Sequence, residues 1–216
     1  MTKKEFASYI DHTLLNTEAG VKDIIKLCQE AVSYEFASVC VNPVYVPLAA
    51  SELENTNVKV CTVVGFPLGA STTVDKVHET KTAIKNGADE IDMVINIGDL
   101  KSKKYDEILT EINKIKEACG EKILKVIVET CLLTNEEKIK MCEIVSKSNA
   151  DYIKTSTGFG AGGATIEDIK IFKSNIKNGK GIKAAGGISS FEDAEEYIKS
   201  GATRLGTSKL VKLIKE

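Results

Sequence analysis

The chain has 216 residues, 43% of them apolar and 28% charged, with 29 Lys+Arg against 31 Asp+Glu for a formal charge of −2. This is the composition of a folded globular protein with a sizeable core, and one domain over residues 1–216 is the economical expectation. Near-neutral charge argues against a chain-wide grip on nucleic acid. No stretch approaches the roughly 20 continuous apolar residues of a membrane helix. No apolar run follows Lys3 and Lys4, so no secretory signal is expected. The six cysteines contain no C-x-x-C pair and several lie inside apolar runs, which reads as reduced thiols of a cytoplasmic protein. The two histidines are far apart, so no zinc site of clustered imidazoles is expected.

Along the chain, short β-branched runs alternate strictly with longer amphipathic segments. The strand-like runs cover 8–11, 36–41, 58–64, 90–95, 123–129, 151–154, 181–185 and 203–206. Segments with apolar residues at three- and four-residue intervals cover 21–32, 74–86, 105–118, 136–148 and 166–176. Thr134-x-x-Glu137, Thr165-x-x-Asp168 and Ser190-x-x-Asp193 have the pattern of capping boxes, and Gly87, Gly120 and Gly201 stand where left-handed C-caps belong. Eight strand–helix units of about 27 residues predict parallel strands with right-handed crossovers, and hence a single (β/α)8 TIM barrel of the α/β class. A doubly wound open sheet is the alternative. No linker or low-complexity tract divides the chain.

In a barrel of this kind, side chains at the C-terminal ends of strands face the active site. Lys154 ends the sixth strand and is followed by small hydroxyl residues and glycines. A strand-end lysine commonly reaches solvent; in a pocket, a neutral amine there can attack a carbonyl and form a Schiff base. Lys183 lies at the matching height on the seventh strand, where two amines would each oppose protonation of the other. Asp92, on the same strand face as Val94, is either the partner of a buried cation or a general acid/base. Asp11, Lys125 and Arg204 read as a supporting network of paired charges, and Cys40 as a small inward lining residue. Gly158, Gly186, Gly187, Gly206, Thr207 and Ser208 fall in or beside the loops after strands six to eight, where backbone N–H groups and helix N-termini hold phosphate. Gly158-x-Gly160-x-x-Gly163 satisfies the dinucleotide fingerprint on paper, but it lies in the sixth unit with no acidic strand end about 20 residues on, so it is discounted.

Asp11-His-Thr-Leu14, Val64-Gly-Phe-Pro67, Glu90-Ile-Asp-Met-Val-Ile95, Lys125-Val-Ile-Val-Glu-Thr130, Ile153-Lys-Thr-Ser-Thr-Gly158, Ile182-Lys-Ala-Ala-Gly-Gly-Ile188 and Arg204-Leu-Gly-Thr-Ser208 together resemble the deoxyribose-phosphate aldolase family over nearly the whole chain. The resemblance implies a class I aldolase, free of metal and cofactor, that reversibly cleaves 2-deoxy-D-ribose 5-phosphate to D-glyceraldehyde 3-phosphate and acetaldehyde. It implies Lys154 as the Schiff-base lysine, Lys183 as the second lysine and Asp92 as the acid/base. Gly186, Gly187, Gly206 and Ser208 match phosphate-contacting positions. It also implies a homodimer, with phosphorylated sugar and aldehydes as the only small-molecule partners. Phe159 departs from family members that carry a lysine after the Lys-Thr-Ser-Thr-Gly run, and Thr207 and Lys209 differ from the Ala and Ser of some members. A phosphosugar isomerase or epimerase on the same barrel, or a non-catalytic phosphometabolite-binding protein, are the alternatives.

Overall fold

A short helix, α1 (Lys3–Ala7), precedes the first strand of the computed structural model, which describes residues 3–207. The strands are β1 (Ile10–Leu14), β2 (Ser38–Val41), β3 (Lys59–Val64), β4 (Glu90–Val94), β5 (Ile123–Ile127), β6 (Tyr152–Lys154), β7 (Gly181–Ala185) and β8 (Arg204–Thr207). Between them run α2 (Val21–Tyr34), α3 (Val46–Glu52), α4 (Thr73–Lys85), α5 (Ile97–Lys101), α6 (Tyr105–Cys119), α7 (Asn135–Lys147), α8 (Ile166–Asn175) and α9 (Phe191–Ser200). Each strand pairs in parallel with the next, and β8 returns to β1 through Ile10↔Leu205 and Asp11↔Gly206. That pairing closes the sheet, so the fold is the (β/α)8 barrel and not the open doubly wound sheet.

The strands carry two kinds of side chain because they have two buried faces. On β4, Ile91 and Met93 join the main apolar core with α6 residues such as Ile108 and Ile112, whereas Asp92 turns into the barrel. Thr72, Thr134, Thr165 and Ser190 cap α4, α7, α8 and α9 with reciprocal capping boxes, each satisfying helix N–H groups that would otherwise lack partners. Gly87, Gly120 and Gly201, all at positive φ, close α4, α6 and α9.

The first strand lies further along the chain than the run at 8–11. Phe6, Ala7 and Ile10 are buried at helix-like spacing, and the strand proper carries inward polar residues that break the apolar signal. Most other boundaries shift by one or two residues, as expected where ends fray. The short helices α3 and α5 have no counterpart in the apolar periodicity.

Two close approaches hold the β3–α4 loop against the barrel rim. Lys76 of α4 is fully buried and donates to Val94 O (2.8 Å) and to Glu111 Oε1 (2.9 Å). Gly69, at φ 67°, passes so near Ile95 O that a Cβ there would overlap it. Gly69→Ala is therefore expected to lower stability by about 2–4 kcal/mol, while Leu68→Ala at the exposed neighbour stays within about 0.5 kcal/mol. Urea unfolding of both variants checks this, and equal effects would contradict it.

Candidate active site

A column of charge fills the barrel interior. Its centre is Asp92 on β4, which is fully buried. Asp92 Oδ2 accepts from Lys154 Nζ at 2.7 Å and from Lys183 Nζ at 2.7 Å. Asp92 Oδ1 accepts from Lys125 Nζ at 2.8 Å and from Cys61 Sγ at 3.2 Å. The registers Lys154↔Lys183 and Asp92↔Lys125 put these groups on facing or adjacent positions of rigid strands. Beneath them, Lys125 also contacts Glu90 at 2.5 Å, Lys183 contacts Asp11, and Arg204 reaches Asp11 at 2.6 Å and Glu90 at 3.3 Å. Ser38 donates to Asp11 Oδ1 at 2.7 Å.

Burial opposes charge on Asp11, Asp92, Lys125, Lys183 and Arg204, and on each of them the pairing overcomes it. Lys125, Lys154 and Lys183 hold the Asp92 carboxyl well below the usual carboxylate range despite its burial. Asp11 is likewise lowered, by Lys183, Lys125 and Arg204 acting against desolvation. Lys183 is raised because Asp11 and Asp92 outweigh its desolvation, and Lys125 is raised because Asp92, Cys61, Glu90 and Asp11 do the same. Both therefore stay cationic.

Lys154 differs from its neighbours in facing open space. It forms the floor of a cavity of about 300 Å³ lined also by Thr13, Leu15, Asn16, Thr157, Gly158, Phe159, Ala185, Gly186, Gly187, Ile188, Gly206 and Thr207. Gly186 and Gly187 are consecutive residues at φ 79° and 80°, a conformation open to glycine and strained for other residues. Phe159 is half exposed and packs edge-on against Phe66 of the β3–α4 loop, with ring centroids 5.3 Å apart. Among the described residues, Lys154 is the only cationic side chain lining the cavity. A lysine amine at the floor of an open pocket, beside a carboxylate and a second lysine that rests as a cation, has the parts for imine chemistry.

Residues 6–208 match the model of the DeoC/LacD family aldolase. The chain belongs to this aldolase family. It is 56% identical to the deoxyribose-phosphate aldolase of Clostridium botulinum (strain ATCC 19397 / Type A) over 98% of its own length and 100% of that protein. The solved aldolase QR15 is 40% identical, with a TM-score of 0.93 over 98% of this chain and 96% of that one. The deoxyribose phosphate aldolase of Aeropyrum pernix, described as tetrameric, is 31% identical, with a TM-score of 0.89 over 100% and 93% of the two chains. The protein is accordingly a carbon–carbon lyase, built on the barrel that its strand–helix alternation predicts.

In this aldolase the residues singled out from sequence converge, with three differences. Thr207, beyond the strand-like run 203–206, lies inside β8 with Gly206, whose missing Cβ makes room for Lys183 Cε and Ala185 Cβ as well as lining the cavity. Ser208 and Lys209 lie outside the described residues. Cys40 does have a thiol partner. It sits across from Cys61 in an interior apolar cluster with Leu15, Val63 and Phe66, and the hydrogen bond from Cys61 draws its thiol downward. Cys40, Cys61 and Asp92 form one of two sets of possible metal-ligand atoms within 4.8 Å of each other among the described residues, and Lys125 is already bonded within both. The discounted Gly158–Gly163 pattern has a packing role: a Cβ at Gly163 would collide with the Gly186 backbone.

Glu90 was legible and missed, since it shares Asp92's strand face by the same alternation of two. Thr13, Leu15 and Asn16 line the cavity with no sequence signal of their own.

Lys125→Met leaves Glu90 and Asp92 short of a partner and is expected to cost about 3–5 kcal/mol in urea unfolding. The lowered carboxylates Asp11 and Asp92 contribute stability that is complete above the ordinary value of 3.8 and is lost as the pH falls through their lower folded values. As the pH falls below about 4 the wild type should therefore lose more stability than Lys125→Met does. Parallel pH dependences would contradict this.

Proposed function

We propose that this aldolase reversibly cleaves 2-deoxy-D-ribose 5-phosphate to D-glyceraldehyde 3-phosphate and acetaldehyde through a Schiff base on Lys154. The observation that carries the reading is that Lys154 alone of the three interior lysines opens onto the cavity while hydrogen-bonded to Asp92. Lys154 attacks the C1 aldehyde of the open-chain sugar. Loss of water gives a protonated imine, which draws electrons as the C2–C3 bond breaks and the C3 hydroxyl loses its proton. Glyceraldehyde 3-phosphate leaves. The enamine left on Lys154 takes a proton at C2 and is hydrolysed to acetaldehyde.

Asp92 and Lys183 carry the protons. Asp92 bridges the two amines through one oxygen, so it can accept a proton from one side while Lys183 keeps the positive charge count high beside Lys154. Asp11, Lys125 and Arg204 hold that carboxylate in place from below, and Cys40 packs beside it. With no lysine at position 159, the phosphate would rest on backbone N–H groups of Gly158, Gly186, Gly187 and the β8 end at Gly206 and Thr207, near the N-terminus of α9, and Ser208, which lies outside the described residues, is proposed as a further contact from the family resemblance alone. The phosphate's binding energy orients the reacting carbons at the far end. Free, mostly buried cysteines fit a reducing cytoplasm, and among the described residues no helix is long and apolar enough to cross a membrane. The tetrameric Aeropyrum pernix relative makes self-association, as a homodimer or larger, part of the proposal, and light scattering decides it.

Acetaldehyde release from 2-deoxyribose 5-phosphate tests the reading. Lys154→Leu should abolish turnover. Lys183→Leu removes the neighbouring charge, so the rising limb of the pH–rate profile should move to higher pH and activity near neutrality should fall by about tenfold or more. An unmoved profile would contradict the paired-lysine account, and turnover by Lys154→Leu would contradict the imine.

A further inference from the structure

We infer that Glu129 is a positioning residue for the phosphate end of the pocket: it clamps the loop after β6 through Thr157 and thereby sets the preference for phosphorylated over unphosphorylated substrate. The inference rests on the phosphate-pocket reading above and extends it to a residue that does not line the cavity.

Glu129 follows β5 with its backbone at φ 55°, ψ 68°, a left-handed conformation uncommon for a non-glycine residue. The residue is buried. Among the described residues it makes no ion pair, so its carboxylate is balanced by hydrogen bonds alone. The short ones converge on Thr157, with Cys131 Sγ a longer donor to Oε1 at 3.9 Å. Thr157 Oγ1 donates to Glu129 Oε2, and Thr157 N lies 3.3 Å from both carboxylate oxygens. The same hydroxyl accepts from Phe159 N at 3.0 Å. The carboxylate therefore directs the Thr157 hydroxyl proton to itself and frees the hydroxyl lone pair for Phe159 N–H. This fixes the backbone of residues 157–159, which line the cavity and include Gly158.

Two neighbours fit the clamp. The loop passes over the carboxylate at Gly160, where a Cβ would sit 3.2 Å from Glu129 Cδ and 3.1 Å from Cys131 Sγ. Phe159, whose N–H the clamp fixes, packs on Phe66 and braces the loop from the other side. Lys154 itself is held separately, since its carbonyl accepts from Val128 N at 3.1 Å where β5 meets β6 and its amine is set by Asp92. Loosening the clamp should thus disturb the cavity wall more than the reacting lysine.

The test compares kcat and KM for 2-deoxyribose 5-phosphate and for unphosphorylated 2-deoxyribose. Glu129→Ala should raise KM for the phosphorylated sugar about tenfold, with kcat and the kcat/KM for 2-deoxyribose changed less than about twofold. Glu129→Gln keeps an acceptor for the Thr157 hydroxyl and should return KM to within about threefold of wild type. Thr157→Val removes the other half of the contact and should raise the same KM, and combining it with Glu129→Ala should add nothing further. Should Glu129→Ala fail to fold by its thermal unfolding profile, Thr157→Val carries the same readout. Equal losses on both sugars, an unchanged KM, or additive effects would overturn the inference while the wild type kept its preference for the phosphorylated sugar. A wild type with no such preference would overturn the phosphate pocket and the inference together.

Discussion

One carboxylate shared among three lysines organises the interior of this barrel. Asp92 is fully buried and spends its two oxygens on Lys125 from below and on Lys154 and Lys183 from above. An isolated charge at that depth would be untenable. What makes it tenable is the alternating column beneath, in which Glu90 and Asp11 separate the cations and Arg204 closes the lower end. The column is held by strand registers and not by loops, so the relative positions of its amines and carboxylates are as rigid as the sheet. Removing one member strands its partners, which is why the network reads as a unit.

The upper end of the column opens into the cavity, and the two ends of a bound sugar phosphate would meet different kinds of structure there. On the proposed function, the carbonyl end would meet side chains on strands, Lys154 above all, and the phosphate end would meet backbone in loops, where glycines allow close approach and where the lining offers no other cationic side chain among the described residues. A pocket built from backbone depends on whatever holds that backbone still. Here that work falls to the Glu129–Thr157 contact, the Phe66–Phe159 pair and the close seating of Gly163 on Gly186.

Much of this was legible in the sequence, and for a physical reason. Charged residues inside β-branched runs have few stable fates, so Asp92, Lys125, Lys154 and Lys183 identified themselves by being where burial should exclude them. Alternation of strand and helix is enough to order the barrel, and family motifs then carry the aldolase assignment. What was not legible depends on neighbours remote in the chain. The Cys40–Cys61 contact, the use of Gly206 to seat Lys183, and the turn of Glu129 toward Thr157 all arise from pairings that only the closed sheet creates. The first strand was misplaced because Asp11 and Thr13 face inward and erase the apolar signal on which strand reading relies. The sharpest gap is Glu90, which the period of two on its own strand places beside Asp92.

The account assigns bond-making to a single amine among three that lie close together in the barrel. Borohydride reduction of the enzyme during turnover, followed by peptide mapping, reads that assignment directly. The account predicts one reduced two-carbon adduct per chain, on Lys154, with Lys125 and Lys183 unmodified. An adduct on either of those lysines, or none under conditions of active turnover, would contradict it.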